Sequence, residues 1–130
     1  MRIRTTAAAL GIALAGAAFA TVAGAGSASA ITPIIDPGNG VYLAVLFDRG
    51  ETAALNGTPI PGLLDRVAPD GQTLMVIDPA SRLPQDDQSV YASVPDVVGE
   101  AAARRGVFGI GWYNPEFNAG YPVRVVEILP

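Results

Sequence analysis

The side chains that could do chemistry in this chain are carboxylates, because the sequence contains no His, no Cys and no Lys. Serine–histidine and cysteine–histidine catalysis lack their general base, and lysine Schiff-base chemistry is excluded. Zinc and copper sites built from imidazole or thiolate are excluded for the same reason. These absences predict a protein that is not an enzyme and that uses no cofactor.

Paired carboxylates are the remaining route to hydrolysis. A glycosidase needs two carboxyl groups several ångströms apart, one of them with a raised pKa. The candidates are Glu51, Asp86, Asp87 and Glu116. No spacing pairs them, so a minimal carboxylate hydrolase is our third hypothesis and we expect solvated loop charges.

Oxygen-rich loops are the only segments whose ligands suit a metal, and that metal is calcium. Asp78, Asp86 and Asp87 border one loop, and Asp36 and Asn39 border another. Neither loop has the spacing of an EF-hand. We therefore predict no metal site.

Aromatic residues are concentrated near the C-terminus. Of the eight aromatic residues that follow residue 30, five lie between Phe108 and Tyr121. Aromatic rings beside amide and carboxylate groups are typical of a surface that binds sugars or peptides. The candidate ligand-binding residues are Trp112, Tyr113, Asn114, Glu116 and Phe117. The favoured alternative places Phe108, Ile110 and Trp112 in the core, with Tyr113 and Phe117 the most exposed members.

The segment from Met1 to Ala30 has the three parts of a secretory signal peptide. Two arginines precede a stretch of small apolar residues, and Ala28-Ser29-Ala30 matches the A-x-A pattern of signal peptidase sites. Ala and Gly dominate this stretch, which is weakly apolar for a permanent membrane anchor. We predict cleavage after Ala30, with Ala28 and Ala30 as the recognition residues, and no membrane span afterwards.

The part of the chain after Ala30 has a net negative charge and, having no Cys, contains no disulfides. Six arginines and twelve acidic residues give this part a net charge of −6. Such a charge repels phosphate backbones, so we expect no nucleic-acid partner. The use of Arg without Lys, with abundant Ala and Gly, is typical of a bacterial genome rich in G and C.

Runs of apolar residues predict the main strands. Continuous or alternating apolar residues bounded by turn signals predict strands at 41–47, 73–77, 107–113 and 123–129, and Glu51 to Leu55 is assigned as a hairpin return strand. Two short helices are predicted, one capped by Thr58 and one by Ser93 with Asp96 in a capping box. Gly106 is the expected residue after the end of the second helix.

These elements predict an α+β fold. We expect one small domain with about five mainly antiparallel strands and two short helices packed on one side of the sheet. The predicted organisation is a signal peptide over 1–30, an extended lead-in over 31–40 and a single domain over 41–130.

The leading functional hypothesis is a small exported, non-enzymatic protein of a bacterial envelope or medium. It would act by binding an extracellular protein or by self-association, with a homo-oligomer as one form. The alternative is a carbohydrate- or small-ligand-binding module that uses the segment from Trp112 to Tyr121, with a cell-wall glycan as partner.

Overall fold

The computed structural model describes residues 33–130 and the backbone of residues 4–6. Three α-helices and seven strands form in these ranges. The strands are β1 (Arg4–Thr6), β2 (Ile34–Asp36), β3 (Val41–Phe47), β4 (Thr73–Val76), β5 (Ser89–Val90), β6 (Val107–Tyr113) and β7 (Val123–Ile128). The helices are α1 (Arg49–Asn56), α2 (Ile60–Arg66) and α3 (Val94–Ala103).

All the strands belong to one sheet with the order β2-β3-β6-β7-β4-β1-β5. The five neighbours from β2 to β4 lie in residues 33–130, and their pairs β2–β3, β3–β6 and β6–β7 are antiparallel. The pairs β4–β7 and β1–β4 are parallel, and β1–β5 is antiparallel. The fold is therefore α+β with a mainly antiparallel sheet, as predicted.

The three helices pack on one side of the sheet, which we call the first face. Phe108, Ile110 and Trp112 of β6 point to this face, as their alternation predicted. The rings of Phe47 and Phe108 stack there with their centroids 5.9 Å apart. The helices contribute the apolar side chains Leu55, Leu64, Val94, Val97, Val98 and Ala101.

The predicted hairpin strand from Glu51 to Leu55 is wrong, because these residues lie in α1. The Asp48 carboxylate accepts a hydrogen bond from the Glu51 amide at 2.8 Å, and the Glu51 carboxylate accepts one from the Asp48 amide at 2.9 Å. This capping box satisfies two amides at the start of the helix. The chain therefore turns into a helix directly after β3, and the fold has three helices where two were predicted.

Helix α3 begins as predicted and ends one residue differently. Ser93 and Asp96 form the predicted capping box. At the other end, Arg105 has a φ of 57°, so it takes the left-handed position predicted for Gly106. The Gly106 amide donates to the Ala101 carbonyl at 2.7 Å, which completes the helix cap.

Gly106 is required for a close approach between α3 and β7. A Cβ at Gly106 would lie 2.6 Å from the Ile128 carbonyl oxygen and 2.8 Å from Leu129 Cδ2. We expect Gly106→Ala to lower the free energy of unfolding by about 1–3 kcal/mol, because the backbone must shift.

Gly62→Ala is the control. Nothing lies within 4 Å of its Cβ position in α2, so this change should raise stability by about 0.5–1 kcal/mol. Urea unfolding checks both, and a loss of stability at Gly62 equal to that at Gly106 would contradict the steric explanation.

The opposite side of the sheet, which we call the second face, is also apolar. Its buried cluster contains Ala44, Leu74, Val76, Tyr113 and Val126, and around it pack the partly buried Ile34, Val41, Leu46, Tyr121 and Ile128. None of these residues comes from α1, α2 or α3. In the part of the chain that the structure describes, the helical layer thus covers only the first face.

The predicted signal peptide falls mostly outside the described residues, and so do Ala28 and Ala30 of its cleavage site. The exception is β1, whose three residues lie inside the predicted leader and pair with β4 and β5. The predicted lead-in over 31–40 contributes β2, which forms the sheet edge beside β3.

Candidate functional site

The five candidate ligand-binding residues do not share one surface. Trp112 is partly buried and packs on the first face, whereas Tyr113 belongs to the second. Asn114 begins a 3-10 turn by accepting a hydrogen bond from the Glu116 amide at 3.1 Å. Glu116 and Phe117 are exposed. Strand alternation therefore separates the two aromatic residues that a single binding surface would need to combine.

Tyr113 is 4% exposed, so the prediction that it lies on the surface is wrong. A Cβ at Gly111 would lie 2.8 Å from its ring, which shows that the glycine leaves the space that the ring fills. The guanidinium carbon of Arg124 lies 4.7 Å from the ring centroid. Burial raises the pKa of Tyr113, and its hydroxyl has no hydrogen-bond partner among the residues that the structure describes. Tyr113 is thus a core residue of the second face.

Arg124 is held beside Tyr113 by a buried amide. Its Nε donates to Asn118 Oδ1 at 2.7 Å, while Asn118 Nδ2 donates to the carbonyls of Tyr121 at 2.7 Å and Val123 at 3.2 Å. Desolvation lowers the pKa of Arg124 from its usual value. This network orders the turn between β6 and β7 and places a cation within the second face, where Arg124 lies between Gly111 of β6 and Leu74 of β4.

Phe117 is exposed as predicted, with 56% of its surface accessible. Its ring stacks against the backbone of Gly40, where a Cβ would lie 2.6 Å from Phe117 Cβ. Ile35 and Tyr42 are 64% and 54% exposed on the neighbouring strands β2 and β3. Tyr42 is the extra residue of a bulge, since Val41 pairs with Tyr113 and Leu43 with Trp112. We call Ile35, Tyr42 and Phe117 the edge patch.

The structure brings together two carboxyl groups that the sequence did not pair, Glu100 of α3 and Glu127 of β7. Glu127 is 0% exposed, and no donor among the described residues makes a well-aligned hydrogen bond to its carboxyl oxygens. Burial, followed by the adjacent Glu100 carboxyl, raises the pKa of Glu127 to about 8. Glu127 is therefore protonated at neutral pH, and a protonated carboxyl can donate a hydrogen bond to Glu100.

Glu100 has the opposite environment. Burial opposes its ionisation, but hydrogen bonds from the Ser81 hydroxyl and from the Arg82 amide at 2.8 Å outweigh burial and hold the pKa of Glu100 below its usual value. Arg104 Nη1 lies 3.8 Å from Glu100, one turn earlier in α3, and donates to the Ala80 carbonyl at 2.6 Å. One carboxyl is thus ionised and its neighbour is protonated.

An ionised and a protonated carboxyl side by side are the components of acid–base catalysis, but substrate must reach both. Glu127 has no exposed surface. The pair instead joins the loop that begins at Asp78 to α3 and β7, because Asp78 also accepts a hydrogen bond from the Leu129 amide at 2.9 Å. This arrangement favours a structural role for the carboxyl pair.

Most of the carboxylates that the sequence offered for catalysis of hydrolysis or for calcium binding accept hydrogen bonds from residues close by in the chain. Asp86 accepts bonds from the amides of Gln88 and Ser89, both at 2.8 Å, and Asn39 donates to Asp36 at 2.7 Å. Among residues 4–6 and 33–130, no three acidic side chains are grouped so that they could hold a metal ion.

Comparison with protein-family models, with curated proteins and with solved structures finds no match for this chain. Within the described residues, no helix has the length and apolar character needed to cross a bilayer.

Proposed function

We propose that this is a small exported, non-enzymatic protein of a bacterial envelope or medium, and that it acts through self-association. The single observation that carries the proposal is the second face of the sheet, an apolar surface to which none of the three helices contributes. Export is supported by the signal-peptide pattern of residues 1–30.

The second face has the composition of a surface that needs a second layer. Side chains from four strands contribute to its buried cluster, which is aliphatic apart from Tyr113 and lies beside the half-buried Arg124. After residues 1–30 are removed, only the rest of the chain could cover the second face. The three helices of that part pack on the first face instead. An apolar sheet face is stable in water when another layer packs on it. A second copy supplies such a layer by symmetric sheet-to-sheet packing.

Leu46→Glu tests this proposal. Leu46 is partly buried on the second face and pairs with Gly109, so a charge there enters the proposed interface beside a residue without a side chain. We expect the protein harvested from the medium to sediment as a dimer, and Leu46→Glu to weaken dimerisation at least about tenfold. Leu63→Glu, at a position 52% exposed on α2, is the control and should leave the dimer intact.

Analytical ultracentrifugation over a range of concentrations measures both variants, and circular dichroism verifies that they are folded. Ile128→Glu, another partly buried position of the second face, provides a second variant if Leu46→Glu fails to fold. A harvested protein that remains monomeric at all concentrations would refute self-association, and a dimer lost only in Leu63→Glu would move the interface to the helical side.

A further inference from the structure

The strands β4 and β5 leave space between them for one strand. They do not pair with each other. Both pair with β1, which runs parallel to β4 with Thr5 beside Leu74 and antiparallel to β5 with Thr5 beside Ser89. Because β1 belongs to the segment predicted to be removed at export, the exported chain would have a strand-wide slot at this place.

One wall of the slot is built by residues beyond the leader. Strand β4 is anchored on its other side by β7, with the pairs from Thr73 beside Val123 to Val76 beside Val126. All four residues of β4 are buried. This wall therefore keeps its position without β1, because its backbone is already fixed by a neighbouring strand.

The second wall is a loop that holds its own shape. The Tyr91 amide donates to the Pro84 carbonyl at 2.7 Å, and the Asp86 amide donates to the Ser89 carbonyl at 2.9 Å. The Asp86 carboxylate accepts the hydroxyl of Tyr91 at 2.6 Å in addition to two amides of the turn. The same loop is tied to α3 through Glu100. None of these bonds involves residues 1–30.

The slot would bind an occupant through main-chain hydrogen bonds, with apolar side chains beside it. An occupant pairs through its main chain on both edges, which is the basis of recognition by strand addition. Two of its positions lie beside Val90 and Met75, whose side chains are fully buried on the first face. In the leader strand these two positions are Arg4 and Thr6, so a small residue is the occupant beside Met75.

The exit of the slot is acidic. An occupant in the antiparallel register of β1 with β5 continues, toward its C-terminus, past Gln88 to the exposed Asp87 and Asp86. Hydrogen bonding by the Tyr91 hydroxyl, then by the amides of Gln88 and Ser89, holds the pKa of Asp86 below its usual value, so this carboxylate is ionised. The rest of the chain after Ala30 carries a net charge of −6. Both facts favour a cationic occupant.

We propose that the exported protein takes up one extended segment of a cationic polypeptide in the slot between β4 and β5, parallel to β4. This inference rests on the export step of the proposed function and is independent of its dimer interface. The leader strand is then the occupant of the unprocessed chain, and a partner strand replaces it after export.

The test uses protein harvested from the medium after export of the full chain, with its N-terminus determined by mass spectrometry. The probe is a synthetic peptide with the sequence of Arg2–Ala9, RIRTTAAA. The control peptide carries Thr5→Pro, which removes the amide hydrogen at the centre of the strand. Hydrogen exchange measures the amides of 73–76 and 89–90 with and without each peptide, and calorimetry measures affinity.

We expect the probe to bind one to one and to slow exchange in both walls at least about tenfold, and the control peptide to do neither. A second probe that carries Ala7→Arg, at the position that the register with β5 brings to Asp87, should bind at least about threefold more tightly than RIRTTAAA at low salt. Asp87→Asn should remove this gain, and the exposed Glu116→Gln, the matched control, should keep it.

Four outcomes would overturn the proposal. The harvested protein could retain residues 1–30, neither peptide could bind, both peptides could protect the walls equally, or the amides of β4 that face away from β7 could be protected without peptide. Protection that rises with protein concentration alone would assign the slot to a second copy in place of a cationic partner. None of these outcomes depends on Leu46, so the slot and the dimer interface can fail separately.

Discussion

Glu127→Gln should raise the free energy of unfolding at pH 8 by roughly 3–5 kcal/mol and change it little at pH 4. In the folded protein the pKa of Glu127 is raised to about 8 by burial and then by Glu100, against an ordinary value of 4.5. The unfolded chain releases the proton near pH 4.5, whereas the folded chain keeps it until about pH 8. Stability due to this group is therefore fully present below pH 4.5 and is lost as the pH rises to about 8, by about 1.4 kcal/mol per pH unit.

A Gln side chain is neutral at every pH, so the variant lacks this loss. It also keeps a donor that can reach the Glu100 carboxylate. Denaturant unfolding of both proteins at intervals from pH 4 to pH 9 measures the difference. Glu116→Gln, at an exposed position, is the control and should show a difference near zero throughout. A difference for Glu127→Gln that stays constant over this range would show that Glu127 is ionised in the folded protein.

Phe108→Ala should lower the free energy of unfolding by about 3–5 kcal/mol. The ring of Phe108 is 0% exposed and stacks on Phe47 with an interplanar angle of 24°. Its amide donates to Thr52 Oγ1 at 3.3 Å, and the Thr52 hydroxyl donates to the Phe47 carbonyl at 3.0 Å, so β3, α1 and β6 meet at this point. Loss of the ring leaves a cavity that these bonded strands cannot collapse to fill.

The matched control is Phe117→Ala, because Phe117 is the same residue type at 56% exposure. Its loss should cost less than about 1 kcal/mol, since more than half of its surface is already accessible to solvent. Thermal and urea unfolding of the two variants measure the contrast. Equal losses would show that the edge patch contributes as much to the core as the stacked pair does.

The strands were predictable because their residues carry the signal themselves. The apolar runs at Val41–Phe47 and Val107–Tyr113 form strands with those bounds. Ser93 with Asp96 predicted the start of α3, since a capping box is local. The same kind of signal was missed in Asp48-Arg49-Gly50-Glu51, where a turn and a strand were assigned to what is the start of α1.

The candidate site was predicted less well, because function depends on which side chains meet. The aromatic segment is continuous in sequence, yet strand alternation sends Trp112 and Tyr113 to opposite faces. The carboxyl pair was not predicted, since Glu100 and Glu127 lie 27 positions apart and no local spacing joins them. A signal was present in Glu127, an acidic residue at an inward position of an apolar strand.

What the sequence by itself determined is therefore the fold class, the local elements and the kinds of side chain that are present. The lack of His, Cys and Lys, the apolar runs and the capping residues act within a few positions or through composition alone. Only the tertiary structure decided that Glu100 meets Glu127, that the second face has no helix among the described residues, and that β4 and β5 flank one strand. The physical reason is that register and packing join residues far apart in the chain, and pKa values and interfaces follow from those long-range contacts.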